Sequence, residues 1–515
     1  MMKKLLNAFQ GGLFFSAIFW IVERAFPVLC AGIALAMLYD QCHPNSHPTF
    51  FSIALLIGSA LVAFVFLRYG FVPQPRSVGR SIVILTMAGL CLRLVPILTI
   101  HNEQISDFQT FHELACALCS GNGFSFTGQA LQSEVRLFLN RYDEKGPLPT
   151  AFRLPGAPLM YAAIYSLFGQ NAVWGKAFNA VLGTLIGLLI FALLKRENPA
   201  LAFRASLIWQ LYPSAVLAVN LIGTEIPFTV CMLLSAVSLN KGMCDGPRNP
   251  AAWWALSGLF AGYACIIRPA ALFLMLCGVG SIILTAARFR KKLAAGLIFM
   301  VALSLAPSLW GLRNYRVFGV FEFQTTEIGP AWWVMTRNIV GREQESTLDS
   351  LDKKMHLSTD EFDLKRTGIE IGEKRLVLAA QKISFVKVLA LNHCRAWNQD
   401  HSMLEWVAGF PEHPQAPPLS HATYGLLANT VQFFYAAVVF LAIFGACKME
   451  KLGIARNPGL LMLVFYTEAS VVLLCVFQGA PRYHFPLMPV MIIVAAQAVG
   501  LLRRKKPKGE VNTLL

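Results

Sequence analysis

Apolar runs long enough to cross a membrane recur from one end of the chain to the other. A transmembrane helix needs about 20 mainly apolar residues, whereas a helix at the surface of a soluble protein has polar residues at helical period. The runs occupy residues 11–38, 49–67, 81–100, 173–194, 201–220, 224–240, 252–267, 269–287, 293–311, 423–446, 459–477 and 483–502. The pattern predicts an all-α polytopic membrane protein with about 12 transmembrane helices.

The composition supports a membrane protein and argues against one that binds nucleic acid. Of the 515 residues, 56% are hydrophobic and 14% are charged, against about 25% charged residues in soluble domains. The net charge of +16 comes from short basic clusters between the apolar runs, which is the pattern of topology signals. No nucleic-acid-binding motif accompanies these clusters.

The basic clusters also predict how the chain crosses the bilayer. Cytoplasmic loops are rich in Lys and Arg, so both termini are expected in the cytoplasm, while the short loop from Gln41 to Pro48 contains neither residue type. This threading works only if the segment from Leu154 to Gly169 lies along the outer leaflet instead of crossing. The chain is therefore predicted to be a multi-pass protein of the plasma (inner) membrane.

The threading divides the chain into five parts. They are two additional N-terminal transmembrane helices in residues 1–80, a transmembrane core in 81–311 with a first extracytoplasmic loop at 101–172, a second extracytoplasmic loop with helices at 312–422, C-terminal transmembrane helices in 423–502, and a cytoplasmic basic tail at 503–515. Ordered loops of this length usually carry function. The active site is therefore expected on the extracytoplasmic side.

Short motifs follow one another in a definite order from about Ser81 onward. They are Arg-x-Pro-Gly-x-Pro at 153–158, Tyr-Pro at 212–213, Gly-Thr-Glu at 223–225, IIRPA at 266–270, RNYRVFG at 313–319 and PRYHFPLMP at 481–489. In this order they resemble the polyprenyl-phosphate-sugar-dependent glycosyltransferases of the GT-C superfamily, the group that includes protein O-mannosyltransferases and lipid A aminoarabinose transferase. The chain departs from that group's double-acid signature, because Asp107 is followed by Phe108.

The resemblance implies a GT-C type helical bundle and an inverting sugar transfer on the extracytoplasmic face. The implied partners are a polyprenyl-phosphate sugar donor, membrane lipid, and a glycan, lipid or protein acceptor. Such a transfer needs a carboxylate to take or orient the proton of the acceptor hydroxyl. It also needs cations to hold the lipid phosphate as negative charge grows on it.

Two acids are candidates for the carboxylate. Asp107 follows the first core span and is the expected base, and Glu225 is expected to orient the acceptor or, with Asp107, to bind a divalent cation. Each acid also has a structural interpretation, because an acid in the first turn of a helix favours the helix dipole. The segment from Ser106 to Gln109 has the pattern of a capping box. A divalent cation is an open alternative, and no other cofactor is predicted.

Five basic side chains are candidates for binding the lipid phosphate. They are Arg268, Arg313 and Arg482, which lie at the outer ends of predicted spans, His484 beside Arg482, and Arg153 in the Arg-x-Pro-Gly segment. The planar guanidinium group matches a phosphate. Each arginine could instead be an interfacial anchor whose charged end reaches water.

Two further sets of residues have less specific patterns. Arg93 and Glu468 fall deep within predicted spans, where ionisable groups are usually paired, so they are expected to pair with each other. His112, Cys116 and Cys119 share one face of a helix, which makes a metal or redox role conceivable. The second ligand pair that such sites usually have is missing from the sequence.

Other classes of protein share some of these features. A transporter or flippase of lipid-linked sugars would also have many spans and buried charges, but it commonly shows paired internal repeats, which this chain lacks. An O-antigen-type ligase or polymerase would use a similar lipid-linked donor. The two long loops favour an enzyme over a transporter.

Overall fold

The computed structural model describes most of the chain between residues 77 and 501. The described residues are 77–127, 146–244, 246–336, 346–380, 384–409, 419–476 and 479–501. The predicted spans 11–38 and 49–67 and the basic tail 503–515 lie outside these residues.

The described part of the chain is almost entirely helical. Its α-helices, numbered in chain order, are α1 (Val78–Thr99), α2 (Ser106–Cys119), α3 (Gly156–Phe168), α4 (Ala172–Leu194), α5 (Pro199–Leu211), α6 (Pro213–Leu217), α7 (Glu225–Cys244), α8 (Pro250–Cys265), α9 (Leu272–Leu284), α10 (Phe289–Phe318), α11 (Ile328–Thr336), α12 (Asp349–His356), α13 (Glu361–Ala380), α14 (Ser384–Trp397), α15 (Ser402–Val407), α16 (His421–Ala446), α17 (Pro458–Val476) and α18 (Met488–Leu501).

Short 3₁₀ helices and one small ladder complete the secondary structure. The 3₁₀ helices are Ala218–Asn220, Pro269–Ala271, Ser346–Leu348, Met449–Leu452, Ile454–Arg456 and Pro481–Leu487. Two strands, β1 (Ser125–Phe126) and β2 (Leu148–Pro149), pair antiparallel with Ser125 opposite Pro149 and Phe126 opposite Leu148. The fold of the described residues is therefore all-α apart from this two-stranded ladder.

Seven helices among the described residues are long and apolar enough to cross a membrane. They are α1, α4, α7, α10, α16, α17 and the segment Pro481–Val499, which joins the last 3₁₀ helix to α18. Other predicted spans correspond to the shorter helices α5, α8 and α9. Helix α3 is short and apolar and occupies the segment that the sequence places along the outer leaflet. The total of about 12 spans stays a prediction.

The predicted span 201–220 is wrong as a single helix, and Pro213 explains the break. Helix α5 ends at Leu211, Tyr212 has an extended backbone, and α6 begins at Pro213. Proline lacks an N–H group, and its ring disfavours the helical conformation of the residue before it. At this break the Tyr212 hydroxyl donates a hydrogen bond to the carboxylate of Asp400.

The predicted pairing of Arg93 with Glu468 is also wrong. Arg93 is fully buried in α1, and its Nη1 donates to Gln210 Oε1 at 2.8 Å and to the carbonyl oxygen of Gly89 at 3.2 Å. Neither Nε nor Nη2 of Arg93, nor Oε1 of Glu468, has a hydrogen-bond partner. The neutral amide of Gln210 can accept a hydrogen bond from a guanidinium group without supplying a charge. A similar depth in the bilayer was therefore not enough to predict that Arg93 and Glu468 pair.

The two long loops share one apolar cluster. Its buried members from the first loop are Leu114, Phe124, Phe126, Ala151, Phe152 and Leu154, and those from the second loop are Leu348, Met355, Leu364 and Ile371. Burial of these side chains from water favours docking of one loop on the other. The segment before α3 and the segment before α11 are thereby held next to each other.

Two glycines allow α8 and α10 to pack with their backbones close together. A Cβ atom at Gly258 would lie 2.2 Å from the carbonyl oxygen of Phe299, and one at Gly262 would lie 2.1 Å from that of Leu303. Small residues four positions apart are a common means of close approach between transmembrane helices. This packing fixes the position of α10, which lines a large cavity in the described part of the chain.

We expect Gly262→Ala to destabilise the folded protein by about 1–3 kcal/mol, because the added methyl group forces two backbones apart. Gly296→Ala is the matched control, since a Cβ atom at Gly296 meets no atom within 4 Å. Both changes raise helix propensity equally, so the difference isolates the helix contact. Thermal unfolding of both variants in one detergent measures it, and equal melting temperatures would contradict the packing described.

Candidate active site

A cavity of about 1030 Å³ lies where the two long loops meet the helical bundle. Its wall includes five of the seven residues that the sequence proposes as catalytic acids or phosphate ligands, namely Asp107, Arg153, Glu225, Arg268 and Arg482, and one further acid, Glu327. These residues come from positions 107 to 482 of the chain, so only the tertiary fold brings them together.

Asp107 is the centre of the charged part of this cavity. Its Oδ1 accepts a hydrogen bond from Arg153 Nη2 at 2.7 Å, and its Oδ2 accepts one from Arg482 Nη2. Burial alone would raise the pKa of Asp107, but the two guanidinium groups outweigh burial and hold the pKa well below the usual range of a carboxyl. Asp107 is therefore a carboxylate at neutral pH, with both oxygens engaged.

The expected capping box at the start of α2 does not form. The N-cap residue is Ile105, which makes no side-chain capping bond, and Ser106 has a φ of 51°. Ser106 is the only non-glycine residue in the described part of the chain with a positive φ. Such a conformation costs on the order of 1–3 kcal/mol and is often found at functional sites. The strained residue stands directly before Asp107.

Arg153 connects Asp107 to an acid that sequence reasoning missed. Its Nη1 donates to Glu327 Oε1 at 2.5 Å, and its side chain is only 6% exposed, against 36% for Glu327. The guanidinium carbon also lies 5.6 Å from the centre of the Phe111 ring. Glu327 precedes α11 in the second loop, and no motif around it signals a site. The loop docking alone brings it into the cavity.

Glu361 holds the two segments that carry Arg153 and Glu327. Its Oε1 accepts from the backbone N–H of Ala151 at 2.9 Å, and its Oε2 accepts from the hydroxyl of Thr326 at 2.9 Å. Burial raises the pKa of Glu361, although these donors oppose the shift. The contact connects α13 to both segments and so fixes the separation of Arg153 and Glu327.

Glu225 and Arg268 form a second charged pair in the same wall. Arg268 Nη1 lies 3.2 Å from Glu225 Oε1, and both side chains are mostly buried. A side chain at Gly223 would collide with the Glu225 carboxylate and with the ring of Phe108. Sterics therefore explain the glycine of the Gly-Thr-Glu motif, because its missing side chain leaves room for the Glu225 carboxylate.

The remainder of the cavity wall is mainly apolar. Residues that line it away from the charges include Phe273, Leu276, Leu303, Pro307, Phe321, Trp332, Leu473 and Leu474. They come from α9, α10, α11, α17 and the segment before α11. A wall of this kind suits a hydrocarbon chain, while the charged end suits an anionic head group.

Two residues that the sequence singled out lie outside this cluster. Arg313 donates to the carbonyl oxygens of Thr150 at 2.8 Å and Phe124 at 2.9 Å, so it links α10 to the first loop. His484 is buried between the rings of Trp397 and Tyr435. Neither Arg313 nor His484 lines the cavity, and their positions do not support the expected contact with a lipid phosphate.

The residues at the charged end do not fit a divalent cation. Each oxygen of Asp107 already accepts from a guanidinium group, and Glu225 lies against Arg268. A cation at either carboxylate would have to displace an arginine and remain beside others. Within the described ranges, no group of three or more His, Cys, Asp and Glu side chains has the arrangement of a metal site.

Cys116, Cys119 and His112 in α2 do not fit a metal or redox site either. Cys119 Sγ donates to the carbonyl oxygen of Ala162 at 3.3 Å, and His112 Nδ1 lies 2.8 Å from the Tyr165 hydroxyl. Burial raises the pKa of the Cys116 thiol to about 11, which opposes the thiolate form that metal binding and redox exchange need. The three side chains therefore pack α2 against α3.

Comparisons with known proteins agree with the motifs. Residues 149–310 match the family described as dolichyl-phosphate-mannose-protein mannosyltransferase. This segment contains Arg153, Glu225 and Arg268, and the match confirms the resemblance inferred from the sequence. A comparison with curated proteins gave no match.

The solved structures to which the chain is similar include the following two. One is the archaeal oligosaccharyltransferase AglB from Archaeoglobus fulgidus in complex with an inhibitory peptide and a dolichol-phosphate, at 12% identity, a TM-score of 0.49, and coverage of 82% of this chain and 50% of that chain. The other is ArnT from Cupriavidus metallidurans bound to undecaprenyl phosphate, at 12% identity, a TM-score of 0.40, and coverage of 83% and 78%. The chain thus spans about half the length of the oligosaccharyltransferase.

We expect Asp107→Asn to lower stability by up to about 3 kcal/mol at pH 7, because it leaves two guanidinium groups without their shared counter-charge. The folded-state pKa of Asp107 is depressed, so its contribution is complete above the unfolded carboxyl pKa of about 3.9 and is lost as the pH falls below that value. Thermal unfolding of the variant and the unchanged protein from pH 7 down to acid pH measures the difference.

Asp363→Asn is the control, because Asp363 pairs with Arg366 at an exposed position and such pairs contribute little. A melting temperature of Asp107→Asn equal to that of the unchanged protein at pH 7 would show that the carboxylate does not hold the two arginines together.

Proposed function

We propose that this chain, which resembles the dolichyl-phosphate-mannose-protein mannosyltransferase family through residues 149–310, is an integral-membrane glycosyltransferase. It moves a sugar from a polyprenyl-phosphate donor to a hydroxyl group of a glycan, lipid or protein acceptor, with inversion at the anomeric carbon. The observation that carries the proposal is a carboxylate held between two guanidinium groups at the charged end of an otherwise apolar cavity.

Arg268 and Arg482 are the proposed phosphate ligands. Both line the cavity, and the guanidinium carbon of each lies 5.5 Å from the centre of the same ring, that of Tyr483. Both guanidinium groups therefore lie beside the same ring at the charged end of the cavity. Arginine binds phosphate through two parallel N–H donors, which suits a leaving group whose negative charge grows during the reaction.

Binding of the donor would prepare Asp107 to act as the base. A phosphate that takes up the N–H donors of Arg482 competes directly with the carboxylate for them. Asp107 then keeps Arg153 as its counter-charge and loses Arg482, so its pKa rises from its depressed value and its affinity for a proton increases. The base thus becomes effective only when the donor is in place.

The transfer step then uses groups that all lie in one wall. The acceptor hydroxyl oxygen attacks the anomeric carbon on the face opposite the phosphate, and its proton passes to Asp107. The bond between the anomeric carbon and the phosphate oxygen breaks, and the lipid phosphate leaves with the electron pair, held by Arg268 and Arg482. Glu225 orients Arg268 by the ion pair observed between them.

The apolar wall between α9, α10 and α17 is the proposed site for the polyprenyl chain. The charge pattern of the loops supports a charged end of the cavity on the extracytoplasmic side of the plasma membrane, with the termini in the cytoplasm. We propose in addition that the chain is divided into the five parts given by its sequence, in which residues 1–80 form two transmembrane helices that precede the transferase core.

We expect Asp107→Asn to reduce sugar transfer about 10²- to 10⁴-fold, the usual contribution of a positioned base. Glu225→Gln should reduce it about 10- to 100-fold, because Arg268 loses the charged partner that orients it. Purified protein with a labelled polyprenyl-phosphate sugar, assayed for transfer to acceptor lipids, glycans and peptides or for hydrolysis, provides the measurement. Glu370→Gln is the control, because Glu370 pairs with Lys374 at an exposed position away from the cavity.

Full transfer by Asp107→Asn would remove this residue from the role of base. A protein that carries the labelled donor across a vesicle membrane without cleaving it would be a flippase, and this result would overturn the enzymatic proposal.

We expect Arg268→Gln and Arg482→Gln each to weaken binding of undecaprenyl phosphate about 10- to 100-fold, the loss of one charged hydrogen-bonding partner. Arg366→Gln, at an exposed position in α13, should bind like the unchanged protein. Tryptophan fluorescence during lipid titration in detergent measures the affinity, and unchanged affinity in both cavity variants would place the phosphate elsewhere.

A further inference from the structure

His484 is enclosed by aromatic rings in a site separate from the cavity. The ring of Trp397 is stacked on it with centroids 5.0 Å apart, and the ring of Tyr435 with centroids 5.2 Å apart. The side chain is 1% exposed. A buried imidazole of this kind must satisfy both ring nitrogens within the protein.

Both nitrogens of His484 face acceptors. Nδ1 lies 2.8 Å from the carbonyl oxygen of Ala396, and Nε2 lies 2.8 Å from Asp400 Oδ1. A carbonyl oxygen cannot donate, so Nδ1 must carry a proton. Asp400 Oδ2 accepts from the Tyr212 hydroxyl, and a carboxylate whose two oxygens both accept takes its second hydrogen bond from Nε2. The proton between Asp400 and His484 therefore resides on Nε2.

We propose that His484 is a buried imidazolium paired with the Asp400 carboxylate, and that this pair positions Arg482 at the cavity. Arg482 and His484 stand two residues apart in the 3₁₀ helix Pro481–Leu487. They point to different neighbours, Arg482 to Asp107 and His484 to Ala396 and Asp400. The consequence for sugar transfer rests on the proposed function, whereas the protonation state and the positioning of Arg482 do not.

The proposed imidazolium has a counter-charge and two aromatic rings around it. The titratable groups that face it are Asp400, which supplies the counter-charge, and Tyr435 from α16, with Tyr212 bonded to the second oxygen of Asp400. Flat stacking between two aromatic faces adds cation–π attraction. Because Ala396 lies in the last turn of α14 and Asp400 precedes α15, the imidazolium also attaches the end of the second loop to the helix that carries Arg482.

Solid-state ¹⁵N NMR on histidine-labelled protein in lipid nanodiscs tests the protonation state directly. His484→Gln identifies the His484 signals by their loss. We expect both nitrogens of His484 to be protonated at pH 7.5, and one of them to lose its proton in Asp400→Asn. An unprotonated nitrogen in the unchanged protein would overturn the imidazolium, and two protonated nitrogens in Asp400→Asn would overturn the role of Asp400.

Modification by phenylglyoxal, followed by mass spectrometry, tests the positioning role without any substrate. His484→Phe keeps the stacked ring but removes the two hydrogen bonds that His484 makes to Ala396 and Asp400. The 3₁₀ helix that carries Arg482 is then held less firmly, so Arg482 should react with phenylglyoxal about 10- to 100-fold faster, the factor that corresponds to losing charged hydrogen bonds. Exposed Arg366 serves as the internal reference in each sample. His393→Phe, at a histidine that also contacts the Trp397 ring, should leave the rate unchanged.

An unchanged rate for Arg482 in His484→Phe would overturn the positioning role even if the imidazolium is observed. If both measurements agree with expectation and no sugar transfer is detected, the proposed function fails while the inference about His484 stands. The two failures are therefore distinguishable.

Discussion

The carboxylate of Asp107 joins two guanidinium groups from distant parts of the chain, Arg153 in the first loop and Arg482 near the C-terminal helix. Without it, Arg153 would keep only Glu327, and Arg482 would lose the carboxylate that it contacts in a cavity with few polar groups. Strain at Ser106 and the buried carboxylate of Glu361 both serve this arrangement. That one acid, Asp107, is what joins the first loop to the segment that carries Arg482 at the charged end of the cavity.

The same interaction connects the structure to the proposed chemistry. A lipid phosphate has the charge and the geometry to replace Asp107 as the partner of Arg482, which converts a structural ion pair into a phosphate site and a free base. The ion pair and the bound lipid phosphate therefore use the same N–H donors of Arg482. The buried pair of His484 and Asp400 keeps Arg482 at the correct place in both states.

The sequence identified most of the charged residues of the cavity, because the order of the motifs and the chemistry of a sugar transfer indicate which side chains the reaction needs. Asp107, Glu225, Arg268 and Arg482 all line it. Glu327 could not be identified, since its place depends on how two loops dock and not on its neighbours in the chain. His484 was assigned to the phosphate because it stands near Arg482, yet side chains two residues apart in a 3₁₀ helix point in different directions. Periodicity likewise indicated the helices but not the break at Pro213, and apolar depth did not reveal that Arg93 bonds to an amide.

A structure of the protein with undecaprenyl phosphate bound, determined by electron cryomicroscopy in a nanodisc, tests the central claim most directly. The account predicts that the phosphate lies between Arg268 and Arg482, that Arg482 has left Asp107 for the phosphate, and that the lipid chain follows the wall between α9, α10 and α17. A phosphate bound elsewhere, with the ion pair between Arg482 and Asp107 intact, would contradict it.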